Sequence, residues 1–305
     1  MMKNITRISI VAALLMTFCV NTFAQDNRAW WNSLSPAWKK VFQDMELKGK
    51  DVEPTDEQLN SMVGLTHIEC NGNQGIEDLK PLARLSNVIV IDCSNTNIKS
   101  LTGIENLRNL TELDCSNNDN INSLIPVTGL INLISLNCGN TMVKSLAPLT
   151  YLKNLRRLDV HLCTINSLAQ VGDLKSLTYL NVSQNHSLFS LAGIEKLTQL
   201  ADFDCSDTNI SDLTPLANIK APIETLNISA TRVTTLRPLQ TLRTIIEIDI
   251  SNTKISAASL DYFTSHTRMK FLRGRNLNIE QKELDAFSTT FVKRNPECDV
   301  ILTKK

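Results

Sequence analysis

From Ile68 onward the apolar residues return in a block that repeats every 22 or 23 residues. Its anchors are Ile68, Ile91, Leu113, Leu136, Leu158, Leu180, Phe203, Leu226, Ile248 and Phe271. Around each anchor the pattern is Leu-x-x-Leu-x-(Cys, Val or Ile)-x-x-(Asn or Thr). An Ile or Val follows, then Leu-x-x-(Leu or Ile)-x-x-Leu. Residues 107–118 and 130–141 show it plainly. Each block supplies one short strand, a turn and an irregular return path. Such a unit cannot bury its leucines alone, so the blocks must stack. At ~4.8 Å per parallel strand, ten strands form a sheet about 43 Å long. The returns are too short for long helices and carry prolines, which predicts extended or 3₁₀ segments there. The pattern therefore predicts an α/β solenoid, a horseshoe with short parallel strands on its concave face.

Two details fix the turns and the ends. The residue five after the anchor is usually Thr where the turn is short, as at Thr96 and Thr208. In the longer turns of Asn73, Asn118 and Asn185 it is Asn. Both side chains can bond nearby backbone, and the turn length selects between them. An open stack exposes leucines at each end and needs caps. Residues 25–63 predict a helical N-terminal cap. Ser35-Pro36 reads as N-cap and N1, Trp38, Val41, Phe42 and Met45 follow at helical spacing, and Thr55-x-x-Gln58 reads as a capping box. The three tryptophans at 30, 31 and 38 lie here, either as a lid on the first block or as a sugar-binding platform. Residues 64–278 hold about ten strands. Residues 279–305 predict a C-terminal cap, an amphipathic helix over Ile279–Arg294 and a last strand at Cys298–Leu302.

The blocks carry Leu79-Lys-Pro81-Leu82, Leu146-Ala-Pro148-Leu149, Leu213-Thr-Pro215-Leu216 and Leu236-Arg-Pro238-Leu239. With the 22-residue spacing, this resembles the internalin-type class of bacterial secreted leucine-rich repeat proteins, over residues 59 to 302. The resemblance implies a leucine-rich repeat horseshoe and binding of host or neighbouring-cell proteins.

The first 24 residues read as an address. Lys3 and Arg7 precede an apolar stretch from Ile8 to Val20, and Thr22-Phe23-Ala24 offers a small-residue cleavage site. That stretch is too short to span a bilayer comfortably. Cys19 within it follows the bulky Phe18, which suits a cleaved secretory signal better than a lipid anchor. The expected location is periplasmic, cell-surface or secreted. Net charge is zero overall, and losing Lys3 and Arg7 leaves 29 basic against 31 acidic residues. That balance excludes a strongly basic nucleic-acid binder, and 42% apolar content excludes wholesale disorder.

Five of the eight cysteines, Cys70, Cys93, Cys115, Cys138 and Cys205, fill one inward column two residues after the anchor. Val160, Val182, Ile228 and Ile250 fill it elsewhere, so Cys reads there as a small core residue. Stacked Cβ bonds would run nearly parallel, which does not suit a disulfide. A linear ladder does not converge on a metal. Cys163 stands at a turn position, with His161 nearby pointing to the other face. No nucleophile–base pair, phosphate loop, metal motif or cofactor motif emerges, and no catalytic domain's length remains after signal, caps and blocks are assigned.

Function should then lie on the concave face. The column after the anchor reads Glu69, Asp92, Asp114, Asn137, Asp159, Asn181, Asp204, Asn227, Asp249, Leu272. Interleaved Asn keeps carboxylates about 10 Å apart and can donate to them. This is either a mildly acidic groove for a basic peptide or hydroxyl-rich ligand, or a self-satisfied polar ladder. The column three after the anchor is small (Ser94, Ser116, Gly139, Ser183, Ser206, Ser229, Ser251, Gly274), with His161 the exception. The column before the anchor varies most, and variation is where a solenoid encodes specificity. Glu112, Arg157, Asp159, His161, Tyr179 and Asp202 are the candidate partner-binding residues; Arg and Tyr are types enriched in hot spots. The sequence thus predicts a non-catalytic module binding a protein or peptide, with a glycan-binding envelope protein as the alternative. Arg268, Lys270, Arg273 and Arg275 form a basic run that either binds an anionic partner or is a solvated rim.

Overall fold

The computed structural model describes residues 25–305. The expected secretory signal at 1–24 lies outside the described residues. The chain forms one sheet of eleven parallel strands in sequence order, β1 (His67–Glu69) to β11 (Asp299–Lys304). The first nine strands have three residues each, with the middle residue buried. The returns are mostly 3₁₀ turns, several opened by the motif prolines at Pro81, Pro148 and Pro238. Two returns instead wind one α-turn, Thr214–Ala217 and Ala257–Leu260.

Each strand ends in a fixed sequence of turn devices. Four residues after the anchor the backbone takes positive φ, at Gly72, Asn95, Asn117, Asn140, Leu162, Gln184, Asp207, Ala230, Asn252 and Asn276. Asn, Asp and Gly tolerate this region; Leu162 and Ala230 occupy it at a cost of about 1–2 kcal/mol. At the next position Thr96, Thr141, Thr208, Thr231 and Thr253 donate to the carbonyl three residues back. In the longer turns Asn118 and Asn185 are buried and reach further. Asn118 Nδ2 donates to the carbonyls of Cys93, Cys115 and Ser116 at 3.0 Å, so one side chain ties two repeats together. Asn73 only closes its own turn, accepting from the Gly75 N–H at 3.0 Å.

The turn column corrects one anchor. Leu272, not Phe271, pairs with Ile248 and is buried, while Phe271 is 39% exposed. Asn276 stands four residues after Leu272, as Asn252 does after Ile248. The repeat is one residue longer than the sequence reading allowed, because its return holds the Ala257–Leu260 turn followed by a 3₁₀ turn with Phe263 buried. The three concave columns therefore end in Phe271, Arg273 and Arg275, not Lys270, Leu272 and Gly274.

At the N-terminal end, α1 (residues 25–33), α2 (Pro36–Glu46) and α3 (Asp56–Val63) cover the first repeat. Ser35 accepts from the Trp38 N–H with Pro36 behind it, and the Thr55/Gln58 capping box closes in both directions. Trp30 and Trp38 donate their indole N–H to the carbonyls of Pro81 and Asp78 at 3.1 and 3.0 Å, and Trp31 donates to Glu53. Trp30 and Trp38 thus pin the helices to the first return, while Trp31 ties the cap to itself. At the other end, α4 (Gln281–Arg294) buries Leu284 and Phe291, and β11 pairs with β10 (Phe271–Leu277). Gln281 bonds the outer edge of β11, accepting from the Lys304 N–H and donating to the Leu302 carbonyl.

The seven described cysteines are all buried and unpaired. Burial pushes the Cys70 thiol up to about 12, with the Asp92 charge adding to it, and holds Cys93, Cys115 and Cys138 well above their ordinary value. They are core thiols, not nucleophiles. Cys163 faces the turn interior, donating to the Cys138 carbonyl and lying 3.4 Å from the Thr141 hydroxyl.

His266 is fully buried against Phe263. Its Nε2 bonds the Leu239 carbonyl at 3.1 Å, and its Nδ1 has no partner. Burial, reinforced by the nearby Arg243 charge, lowers its pKa from the usual 6.5. The unfolded chain therefore binds a proton that the folded chain resists, and stability falls as pH drops below about 6.5. Urea unfolding of the parent and of His266→Gln between pH 7 and pH 5 should show a steeper loss in the parent, by up to about 1.4 kcal/mol per pH unit. Coincident slopes would contradict this.

Candidate functional site

The concave face is the sheet surface formed by the residues before and after each anchor. Its columns differ in what their side chains are already doing. The column after the anchor is committed to the turns: Oδ1 of Asp92, Asp114, Asn137, Asp159, Asn181, Asp204, Asn227 and Asp249 accepts the N–H two residues on, at 2.8–3.1 Å. The second oxygen of three of the Asp residues accepts from the Asn of the next strand: Asn137 to Asp114, Asn181 to Asp159 and Asn227 to Asp204. Most of the alternating ladder is thus bonded within the sheet. A hydroxyl-rich ligand would compete with bonds that hold the turns, which disfavours the glycan reading.

The column before the anchor is not tied into the turns. Arg157 and Tyr179 sit opposite each other on β5 (Arg157–Asp159) and β6 (Tyr179–Asn181), with the guanidinium 3.6 Å from the centre of the Tyr179 ring. Such contacts contribute about 0.5–1 kcal/mol at exposed sites. Asp202 follows on β7 (Asp202–Asp204), opposite Tyr179. Burial, and then the Asp159 charge, push the Tyr179 phenol above its usual value while Arg157 pulls it down. The hydroxyl is therefore neutral at physiological pH.

His161 does not project toward a partner. Its Nδ1 lies 2.7 Å from Asp159 Oδ1, and its ring folds back over Gly139 on the preceding strand, where a Cβ would overlap it. The small residue at 139 makes room for this histidine. Glu112 lies on β3 (Glu112–Asp114), separated from Arg157 by Ser135, and does not join the others. The structure thus brings together Arg157, Asp159, His161, Tyr179 and Asp202, and leaves Glu112 apart.

Next to Tyr179 is a hollow of about 230 Å³ that sequence reasoning missed. Asp202 and Asp204 wall one side, Glu247 and Asp249 the other, and the neutral Thr225-Leu226-Asn227 strand forms the floor between them. Arg273 closes the far end, bonded to Glu247 at 2.8 Å. A signal was present: two acid-x-acid strands, Asp202-Phe203-Asp204 and Glu247-Ile248-Asp249, flank a neutral one. Arg273 could not be placed there while the last anchor was misassigned. No group of three or more His, Cys, Asp or Glu side chains is arranged to hold a metal among the described residues. Among them no helix is long and apolar enough to cross a membrane.

Residues 80–185 match a family model described as the leucine-rich repeat domain of the endo-beta-N-acetylglucosaminidase EndoS. No curated protein matches the sequence. Among solved structures, an internalin (InlF) from Listeria monocytogenes is 18% identical with a TM-score of 0.66, the match covering 88% of this chain and 89% of that one. The functional domain of InlJ from Listeria monocytogenes, described as including a cysteine ladder, is 18% identical with a TM-score of 0.65, covering 91% and 61%. A plant peptide hormone receptor, RGFR1 in complex with RGF2, is 16% identical with a TM-score of 0.60, covering 77% and 38%.

Gly139 and His161 should behave as a coupled pair. Gly139→Ala is expected to cost about 1 kcal/mol in the parent and much less in a His161→Ala background, measured as a double-mutant cycle by urea unfolding. Additive costs would show that the ring does not rest on residue 139.

Proposed function

We propose that this chain, an internalin-type leucine-rich repeat solenoid in fold, is an exported, non-catalytic binding protein that captures a protein or peptide on its concave face. The partner meets the column before the anchors, centred on Arg157, Tyr179 and Asp202, with the acidic hollow beside them. The observation that carries this reading is the division of labour across the sheet. One column is spent on closing turns. The adjacent one varies from strand to strand, and its Arg157–Tyr179 stack stands ready-made at the middle of the sheet. A preordered Arg and Tyr lose little further freedom on binding, which favours them as anchors. The structural likeness to a receptor described in complex with a peptide hormone is consistent with this use of the fold. Export rests on the basic, apolar and small-residue order of residues 1–24.

The test is partner capture from envelope or host material with residues 25–305 as bait, parent against Arg157→Ala/Tyr179→Ala. The expected result is capture by the parent, loss of it in the double variant, and a folded variant less stable by only about 1 kcal/mol, the worth of the lost Arg157–Tyr179 contact. Equal capture by both would refute the assignment of these residues.

A further inference from the structure

The basic run read from the sequence does not stay together. Arg273 turns to the concave face and bonds Glu247. Arg275 follows it on the same strand. Arg268 and Lys270 lie before the strand, at the rim of the sheet. There they meet Arg294, which the helix α4 brings back from 26 residues further along. Together they border a hollow of about 420 Å³ at the end of the solenoid. We infer that this hollow is a second binding site, separate from the concave face, that takes an acidic peptide segment of a protein partner through one or two carboxylates.

Three observations carry it. Arg268, Lys270 and Arg294 are exposed, and none has a carboxylate within 4 Å among the described residues. Against them the hollow holds one acid, Glu297, so its side chains carry a surplus of two positive charges. Guanidinium groups suit carboxylates because they donate in a planar fork, and charge-assisted bonds of this kind are the strong ones.

The hollow is not uniformly polar. Ile246, Met269 and Pro296 line part of it, which suits the aliphatic stem of a Glu side chain.

The surroundings disfavour a polyanion. Residues 25–305 are slightly acidic overall, and Glu297 stands among the three cations. A membrane or nucleic acid draws on a broad positive field. Two surplus charges in one hollow match a short acidic stretch.

The experiment uses residues 25–305 and a fluorescently labelled, blocked peptide of alternating Glu and Gly, read by anisotropy in low and high salt. Its Gln counterpart, inorganic phosphate as competitor, and vesicles rich in an anionic phospholipid are the other probes. The expected result is binding of the Glu peptide about tenfold tighter than the Gln peptide, weakened by salt. Arg268→Gln/Lys270→Gln/Arg294→Gln should abolish that preference, and Arg157→Ala/Tyr179→Ala should leave it intact. The second comparison separates failure of this site from failure of the concave one. All three residues are exposed, and circular dichroism checks the fold. If the triple variant does not fold, Lys270→Gln and Arg294→Gln singly must each weaken the Glu peptide. An unchanged preference in the folded triple variant would overturn the proposal. So would vesicles or phosphate binding in preference to the peptide.

Discussion

A three-residue strand cannot continue into a helix or a hairpin here; it must turn sharply away from the sheet and return below it, ten times over. That turn is the constraint on which the rest depends. It needs a left-handed residue four positions after the anchor, and in eight of the ten turns a side chain one position after the anchor accepts the N–H that would otherwise hang free at the bend. In eight of the ten turns a Thr or Asn closes the interior side, and Cys163 does so in another. With these in place each leucine block lands under its neighbour, and stacking supplies the burial that no single repeat could provide. Leu162, Gln184 and Ala230 hold the left-handed conformation without Gly or Asn, so the neighbouring turns must over-determine it.

The same constraint divides the concave face. An Asp or Asn that bonds the turn is both partner-facing and unavailable, since using it on a ligand would loosen the bend. What remains is the preceding column, where successive strands carry Glu, Ser, Arg, Tyr, Asp, Thr and Glu without a turn to hold. His161 shows the limit of reading one column alone. It stands among small side chains in the middle of its column, and there is room for it because Gly139 beside it has no side chain.

Much of this was legible in the sequence, for physical reasons. The solenoid, its parallel strands and the inward cysteines follow from a period that only stacking can satisfy. The Ser35 cap and the Thr55 capping box follow from local bonding rules. Other features were not. The last anchor slipped by one because Phe271 and Leu272 are both apolar and only the turn at Asn276 tells them apart. The left-handed column was written in Asn95, Asn117, Asn140, Asn252 and Asn276, but Leu162, Gln184 and Ala230 interrupt it, so no single residue type marks it. The acidic hollow and the pairing of Arg268 with Arg294 depend on how distant segments meet, which no local pattern encodes.

The central claim is that the column after the anchors belongs to the fold. Asp114 tests it most directly: its carboxylate accepts from the Ser116 N–H and hydroxyl and from Asn137 Nδ2, and Ser116 is only 4% exposed. Urea unfolding of Asp114→Ala should show a loss of about 1–3 kcal/mol, the cost of leaving buried donors unbonded. A change within about 0.5 kcal/mol, as for an ordinary surface substitution, would contradict the account.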